Sequence, residues 1–213
     1  MADNKQIKTG IFGGAFNPPH NGHVNLAREA IGQLNLRRLL VIPTFESPHK
    51  ATALIPFEER EELCRRAFLP LDGSGRCSCG VEVSDIEREM GGVSYTINTL
   101  RELAKRRPDE RFYLLIGGDM LFSFEKWVRY ESILKEATVC AIARGGDSYS
   151  DMVEFANRMG RVKVLPTNAV DVSSTEIRGR IARGEDISEL VPGGVAEYIA
   201  ERRLFMKSES EGN

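Results

Sequence analysis

The sequence predicts an α/β fold built on a mostly parallel, doubly wound sheet. Six short apolar runs alternate along the chain with longer segments whose apolar residues recur at helical spacing. Strands that alternate with helices pair in parallel, because each helix returns the chain to the edge of the sheet where the next strand starts. Polar motifs follow five of the six runs, as expected for the ligand-binding edge of such a sheet.

The elements follow one another in regular order. The predicted strands cover residues 7–12, 39–42, 81–86, 112–116, 139–143 and 162–165. The predicted helices cover residues 24–34, 56–67, 96–106, 132–135, 151–159, 174–183 and 194–202. Pro56 suits the first turn of its helix, where a missing N–H costs no hydrogen bond.

Length and charge limit the class of protein. With 213 residues the chain can bury a sizeable core, and we expect one domain over residues 1–206, with a C-terminal helical part at about 174–206. Residues 207–213 are polar and are expected to form a flexible tail. Lys and Arg total 29 against 31 Asp and Glu, so no general attraction to nucleic acid is expected.

The location and redox state follow from what the composition lacks. No apolar run reaches the length of about 18 residues needed to cross a bilayer, and the first residues do not resemble a signal peptide. The four cysteines lack the paired spacing of a zinc site, and we expect reduced thiols. The chain is therefore expected to be cytoplasmic and to bind no membrane.

The most informative segment, GGAFNPPHNGH at residues 13–23, follows the first strand. Its two leading glycines allow a sharp turn with exposed N–H groups, and Asn21 or Gly22 can begin the next helix. His20 and His23, three positions apart, then share one face of the first turn. Free N–H groups at a helix start, together with two imidazoles, suit a nucleotide phosphate.

Further polar motifs follow the later strands. VSSTEIR at residues 172–178 predicts a helix capped by Ser173 or Ser174, with Arg178 close enough to contact an anion. An ordinary capping box with a surface arginine would give the same pattern. The other motifs are SPHK at 47–50, SYT at 94–96, GGDM at 117–120, Lys126-Trp127, and ARGG at 143–146.

As an ordered set, these motifs resemble the signatures of the nucleotidyltransferase superfamily, H-x-G-H and SSTxIR, in the form found in bacterial nicotinate-nucleotide adenylyltransferases. The resemblance runs from about Ile7 to Phe205. Two positions depart from it, since Ser47 stands for the first proline of Pro-Pro-His-Lys and Asn98 for the aspartate of SYTxDTL. No role is assigned to Asn98.

The resemblance implies a role for individual residues. The implied catalytic residues are His20, His23, Lys50 and Arg178. The implied ATP-binding residues are these two histidines and Arg178 together with Gly13, Gly14, Phe16, Gly117, Asp119, Ser173, Ser174 and Thr175. The implied residues for the second substrate are Tyr95, Thr96, Asp119, Trp127 and Arg144, with the indole stacked on a pyridine ring.

The implied reaction joins ATP and nicotinate mononucleotide to give deamido-NAD and pyrophosphate, with Mg²⁺ carried by the substrate phosphates and no dedicated protein metal site. One alternative is a related transferase acting on nicotinamide mononucleotide or phosphopantetheine. Another is a nucleotide-binding regulator of the same fold without catalysis. A class I aminoacyl-tRNA synthetase fragment is least favoured, because the charge balance is not basic. The oligomeric state, a homodimer included, is left open.

Overall fold

A computed structural model describes residues 6–48, 54–73, 78–143, 148–168 and 170–206. Within these ranges the strands form a six-stranded, entirely parallel sheet of order β3-β2-β1-β4-β5-β6. The strands are β1 Ile7–Gly14, β2 Arg38–Pro43, β3 Gly80–Val83, β4 Glu110–Gly117, β5 Ala137–Ile142 and β6 Val162–Leu165. The predicted α/β, doubly wound, Rossmann-like fold is confirmed.

The helices lie between and after the strands. They are α1 Asn21–Leu34, α2 Phe57–Phe68, α3 Ile86–Met90, α4 Thr96–Arg106, α5 Gly118–Leu121, α6 Tyr130–Glu136, α7 Tyr149–Met159, α8 Ser174–Ala182 and α9 Gly193–Arg202. Single turns of 3₁₀ helix occupy Leu69–Leu71 and Phe124–Lys126. None of the helices within the described ranges combines the length and apolar character needed to cross a bilayer.

Each face of the sheet carries its own apolar core. Phe12 of β1 faces the core formed with α1, α2, α8 and α9, whereas its neighbour Ile11 faces the core formed with α3, α4, α6 and α7. Because successive side chains of a strand point to opposite faces, strands covered on both faces are apolar along most of their length. This explains why the strands appeared in the sequence as continuous apolar runs.

The order of the strands creates a crevice at one edge of the sheet. The chain passes from β1 outward to β3 and then crosses back to β4, which pairs with the other side of β1. The connections after β1 and after β4 therefore leave the sheet in opposite directions, and the space between them opens at the carboxyl ends of both strands. Within the described residues, the motifs GGAFNPPHNGH and GGDM follow β1 and β4 at this edge.

Some predicted elements differ from the structure. The prediction of a strand over residues 81–86 was wrong at its end, because β3 stops at Val83 and Ile86 begins α3. Ile86 remains buried, so the apolar run continues although the backbone turns. The short helices α3 and α5 were not predicted. Helix α1 begins at Asn21 and not at the predicted residue 24, and α8 ends at Ala182 and not at the predicted residue 183.

The domain limits stay a prediction, as does the flexible tail, because residues 207–213 lie outside the described residues. Helices α8 and α9 share the core of α1 and α2 through Ile177, Val195 and Ile199. Cys64, Cys79 and Cys140 are buried, and Cys64 and Cys140 carry free thiols. Burial raises the pKa of the Cys140 thiol to about 12.

Candidate active site

A cavity of about 550 Å³ opens at the carboxyl edge of the sheet, where β1 and β4 diverge. Its walls come from the end of β1, the segment after β2, the start of α4, the end of β4 and the 3₁₀ turn before Trp127. Pockets of this volume commonly hold small ligands, and a crevice at the change of strand order is where open α/β sheets bind them. The position agrees with the edge that the sequence motifs indicated.

The segment of residues 13–23, called the histidine segment below, forms one wall of the cavity. Phe16 has a positive φ of 45°, an uncommon conformation for a bulky residue, and its ring covers the backbone of Gly14. A Cβ at Gly14 would lie 3.1 Å from that ring. A side chain at this position would therefore force the Phe16 ring to shift by a few tenths of an ångström. The expectation that the two glycines form a sharp turn was wrong, because both lie at the end of β1 without a positive φ.

The two histidines of this segment stack at the start of α1. His20 is the N-cap residue and His23 the third residue of the helix, and their ring centroids lie 3.7 Å apart with planes inclined by 34°. The N–H of His20 donates to Nδ1 of His23 over 3.3 Å. Because Nδ1 accepts this bond, the proton of a neutral His23 ring resides on Nε2. His23 lines the cavity, and His20 is buried.

Gly22 makes this stacking possible. A Cβ at position 22 would lie 3.1 Å from both Cε1 and Nδ1 of His20, and 3.1 Å from the carbonyl oxygen of Val170. Any larger residue would therefore press on the imidazole and on the segment before α8. The glycine of H-x-G-H is required by the contact of the His20 ring with the helix end.

The start of α8 is docked on the histidine segment. The Ser174 hydroxyl donates to the Pro18 carbonyl over 2.8 Å, and Nη1 of Arg178 donates to the Asn17 carbonyl over 2.9 Å. Ser173 caps the helix by accepting from the N–H of Glu176. Residues more than 150 positions apart in the sequence thus meet, and His20 and Arg178 lie on the same side of the sheet.

The remaining predicted residues divide into three groups. Gly13, Gly14, Phe16, Tyr95, Thr96, Gly117, Asp119 and Trp127 line the cavity together with His23. Ser173, Ser174, Thr175 and Arg178 lie on α8 or at its cap, and Arg178 also donates to the Thr175 hydroxyl. Lys50 and Arg144 lie outside the described residues. The roles of all these side chains stay predictions.

The half-buried indole of Trp127 lies against the ring of Phe124, with centroids 5.3 Å apart. The cavity therefore has an aromatic wall on the side of the 3₁₀ turn. Asp119, at the start of α5, is exposed and lines the same cavity. An aromatic face and a carboxylate in one cavity suit a planar ring attached to a sugar, since the carboxylate accepts hydrogen bonds from hydroxyl groups.

Sequence reasoning missed two buried charges behind the cavity wall. Arg60 of α2 is only 2% exposed, and Glu87 of α3 is 8% exposed and lines the cavity. Burial lowers the pKa of the Arg60 guanidinium. A signal for Arg60 was present, because it occupies the apolar stripe of its helix three and four positions before Leu63 and Cys64.

Comparisons with known proteins agree with this geometry. A family model described as cytidylyltransferase-like matches residues 11–180. A protein of Exiguobacterium sibiricum named "Probable nicotinate-nucleotide adenylyltransferase" is 38% identical over 199 residues, covering 93% of this chain and 99% of that protein. A protein of Geobacter metallireducens with the same name is 36% identical, covering 93% of this chain and 98% of its own length.

Solved structures show the same fold. The Plasmodium falciparum nicotinic acid mononucleotide adenylyltransferase complexed with NaAD superposes with a TM-score of 0.74 at 18% identity, covering 93% of this chain and 97% of that one. Because the family model spans most of the chain and curated relatives exceed one third identity along nearly all of it, the chain belongs to the nicotinate-nucleotide adenylyltransferases of the cytidylyltransferase-like family.

Proposed function

We propose that this protein transfers the adenylyl group of ATP to nicotinate mononucleotide, giving deamido-NAD and pyrophosphate in the synthesis of NAD. The observation that carries the proposal is the docking of the α8 start on the histidine segment, which also forms one wall of the cavity of about 550 Å³. Two substrates that both carry phosphate must be held together against their mutual repulsion. Imidazoles, a guanidinium and two helix starts are the groups that bind such anions.

The proposed reaction is a single displacement at phosphorus. An oxygen of the mononucleotide phosphate forms a bond to the α-phosphorus of ATP, while the bond from that phosphorus to the oxygen bridging the β-phosphate breaks. The electron pair leaves with pyrophosphate, and no covalent intermediate with the protein is formed. Acceleration then comes from positioning the two phosphates in line and from stabilising the charge that develops on the oxygens.

His20 and His23 are proposed to contact the triphosphate around the reacting α-phosphoryl group. The bond accepted by Nδ1 of His23 leaves the ring proton on Nε2, so this ring can donate to a phosphoryl oxygen without first gaining a proton. Arg178 is proposed to stabilise charge on the leaving pyrophosphate, together with Lys50. The contact of Arg178 with Asn17 supports this role, because it holds the guanidinium beside the same segment.

Mg²⁺ is proposed to enter with the triphosphate and to neutralise charge on its oxygens. The described residues contain no group of three or more His, Cys, Asp or Glu side chains that could hold a metal ion. In this proposal the ligands of the ion are phosphate oxygens and water. ATP binding is proposed to involve Gly13, Gly14, Phe16, Gly117, Asp119 and the residues of the α8 start.

The mononucleotide is proposed to bind in the part of the cavity lined by Tyr95, Thr96, Asp119 and Trp127. The pyridine ring would stack on the indole, Asp119 would accept from the ribose hydroxyls, and Arg144 would bind its phosphate. A cytoplasmic location is part of the proposal, and the free buried thiols of Cys64 and Cys140 support it, because disulfides belong mainly to secreted proteins.

Pyrophosphate release by the purified protein with ATP and Mg²⁺ tests the proposal. Nicotinate mononucleotide, nicotinamide mononucleotide and phosphopantetheine serve as separate acceptors, and a His23→Ala variant purified in the same way controls for contaminating activity. We expect release to depend on nicotinate mononucleotide and to be far slower with the other two. Preferential use of phosphopantetheine would indicate a different transferase. ATP binding without release for any acceptor would indicate a nucleotide-binding regulator.

A further inference from the structure

The buried guanidinium of Arg60 connects two loops of the active-site edge. Its Nη1 donates to the carbonyl of Ala15, in the histidine segment, over 3.1 Å and to the carbonyl of Thr44 over 2.6 Å. Its Nε donates to the carbonyl of Ile55, just before α2. Ala15 follows β1 and Thr44 follows β2, so one side chain joins the carboxyl ends of two neighbouring strands.

The segment after β2, residues 44–48, is held from its other side as well. The N–H of Thr44 donates to the carbonyl of Gly14 over 2.9 Å. The N–H of Phe45 donates to the Glu87 carboxylate and to the Ser94 hydroxyl, each over 3.2 Å. The N–H of Glu46 donates to the Ser94 hydroxyl, and the N–H of Ser94 donates back to the Glu46 carbonyl. The start of this segment therefore has a defined position relative to both α3 and the histidine segment.

A role in packing alone does not account for a guanidinium at position 60. Taking the charge out of water disfavours it, as the lowered pKa of Arg60 shows, and an apolar side chain of similar volume would fill the same space without that cost. The neighbouring positions Leu63 and Cys64 of α2 are filled in this way and are fully buried. The feature that an apolar residue could not supply is the set of hydrogen bonds to the carbonyls of Ala15, Thr44 and Ile55, of which the first two join the two segments.

The two connected segments have different tasks in the proposed reaction. The histidine segment is proposed to hold the α-phosphoryl group, whereas residues 44–48 lead directly to His49 and Lys50, and Ser47 and Pro48 line the cavity. The distance between the two segments therefore sets where the cavity wall formed by Thr44, Ser47 and Pro48 lies relative to the histidine segment. An error of about 1 Å in such a distance can reduce turnover by about 100-fold.

We propose that Arg60 is a positioning residue for adenylyl transfer, which fixes the histidine segment and residues 44–48 at one separation. The proposal rests on the proposed function. Because the hydrogen bonds of Arg60 reach Ala15, Thr44 and Ile55 and not the residues proposed to bind the mononucleotide, its loss lowers kcat and leaves the KM for nicotinate mononucleotide nearly unchanged. Arg60→Met is expected to lower kcat by about 10- to 100-fold, with that KM within about threefold of wild type.

Two further variants separate positioning from stability. Leu63→Ala removes a buried side chain of the same helix with no polar contact to either segment, so it lowers the thermal midpoint while kcat stays within about twofold of wild type at a temperature where the variant is folded. Arg60→Lys keeps the charge but lacks the planar guanidinium whose Nε, bonded to the Ile55 carbonyl, holds Nη1 between the carbonyls of Ala15 and Thr44. Its kcat is expected to lie between those of Arg60→Met and wild type. If Arg60→Met does not fold, the kcat of Arg60→Lys is compared with that of Leu63→Ala instead.

A second measurement does not depend on catalysis. Amide hydrogen exchange of residues 44–46, followed without substrates, is expected to be faster in Arg60→Met and Arg60→Lys than in wild type and unchanged in Leu63→Ala. A kcat loss no larger than that of Leu63→Ala would overturn the positioning role, as would unchanged exchange at these amides. If the wild-type protein has no transferase activity but the exchange differs between the variants as expected, the proposed function is refuted. The role of Arg60 in connecting the two segments is then still supported.

Discussion

Replacing Gly22 with alanine tests the stacked histidines directly. The added Cβ would lie 3.1 Å from two atoms of the His20 ring and from the Val170 carbonyl oxygen, so the ring must yield by a few tenths of an ångström. At about 100-fold in turnover per ångström of misplacement, this shift corresponds to about a four- to tenfold loss of kcat. The helix itself would gain from alanine, by about 0.5–1 kcal/mol, which opposes the cost of the contact.

Gly32 of the same helix supplies the matched control. Nothing lies within 4 Å of a Cβ built at that position, so Gly32→Ala is expected to raise the free energy of unfolding by about 0.5–1 kcal/mol and to leave kcat unchanged. Both variants are compared by pyrophosphate-release kinetics and urea denaturation. The reasoning is refuted if Gly22→Ala turns over as fast as Gly32→Ala and gains the same stability.

Three further predictions concern other parts of the molecule. His23→Ala is expected to lower kcat by about 100-fold or more, as for the loss of one transition-state donor, with an unchanged circular dichroism spectrum; near-normal turnover would remove His23 from the mechanism. Saturating nicotinate mononucleotide is expected to change Trp127 fluorescence, and an unchanged spectrum would argue against stacking. Hydrogen bonds from Arg202 and Tyr198 lower the pKa of Glu59. The contact therefore stabilises the folded protein above about pH 4.5, and this stabilisation is lost as the pH falls through the lowered pKa of Glu59. Arg202→Gln should therefore lower the melting temperature at pH 7 and leave it unchanged near pH 3, and an equal loss at both values would contradict this reading.

The sequence predicted the elements better than their arrangement. The strands were recognisable because both of their faces are covered, and β1, β2 and β4 appeared as apolar runs within two residues of their observed ends. Helices α3 and α5 contain five and four residues, which is too short for a helical period to be recognised. The order of the strands depends on pairing between distant segments, and no local pattern contains it.

The same distinction applies to the site. The histidine segment and the start of α8 could be identified because their local chemistry, free N–H groups beside imidazoles or an arginine, suits phosphate. Arg60 and Glu87 were missed because they bond to groups of other segments: Arg60 to the carbonyls of Ala15 and Thr44, and Glu87 to the N–H of Phe45 and the hydroxyl of Thr99. Local spacing shows that Arg60 faces the core but does not show what it bonds there.

The stacked pair also explains the spacing of the H-x-G-H motif. The first histidine must cap the helix and the second must occupy its third position for the backbone N–H of His20 to reach Nδ1 of His23. The glycine between them leaves room for the first ring. A fixed tautomer and a fixed ring position are the requirements for donating to a phosphoryl oxygen without reorganisation.

The central claim is that the histidine segment and the start of α8, far apart in the sequence, bind one nucleotide. Amide hydrogen exchange with and without a non-hydrolysable ATP analogue and Mg²⁺ tests it most directly. The account predicts slower exchange in both residues 13–23 and residues 173–178, with no change at the opposite edge of the sheet around residues 109–111. Slower exchange in only one of the two segments, or at the opposite edge, would contradict it.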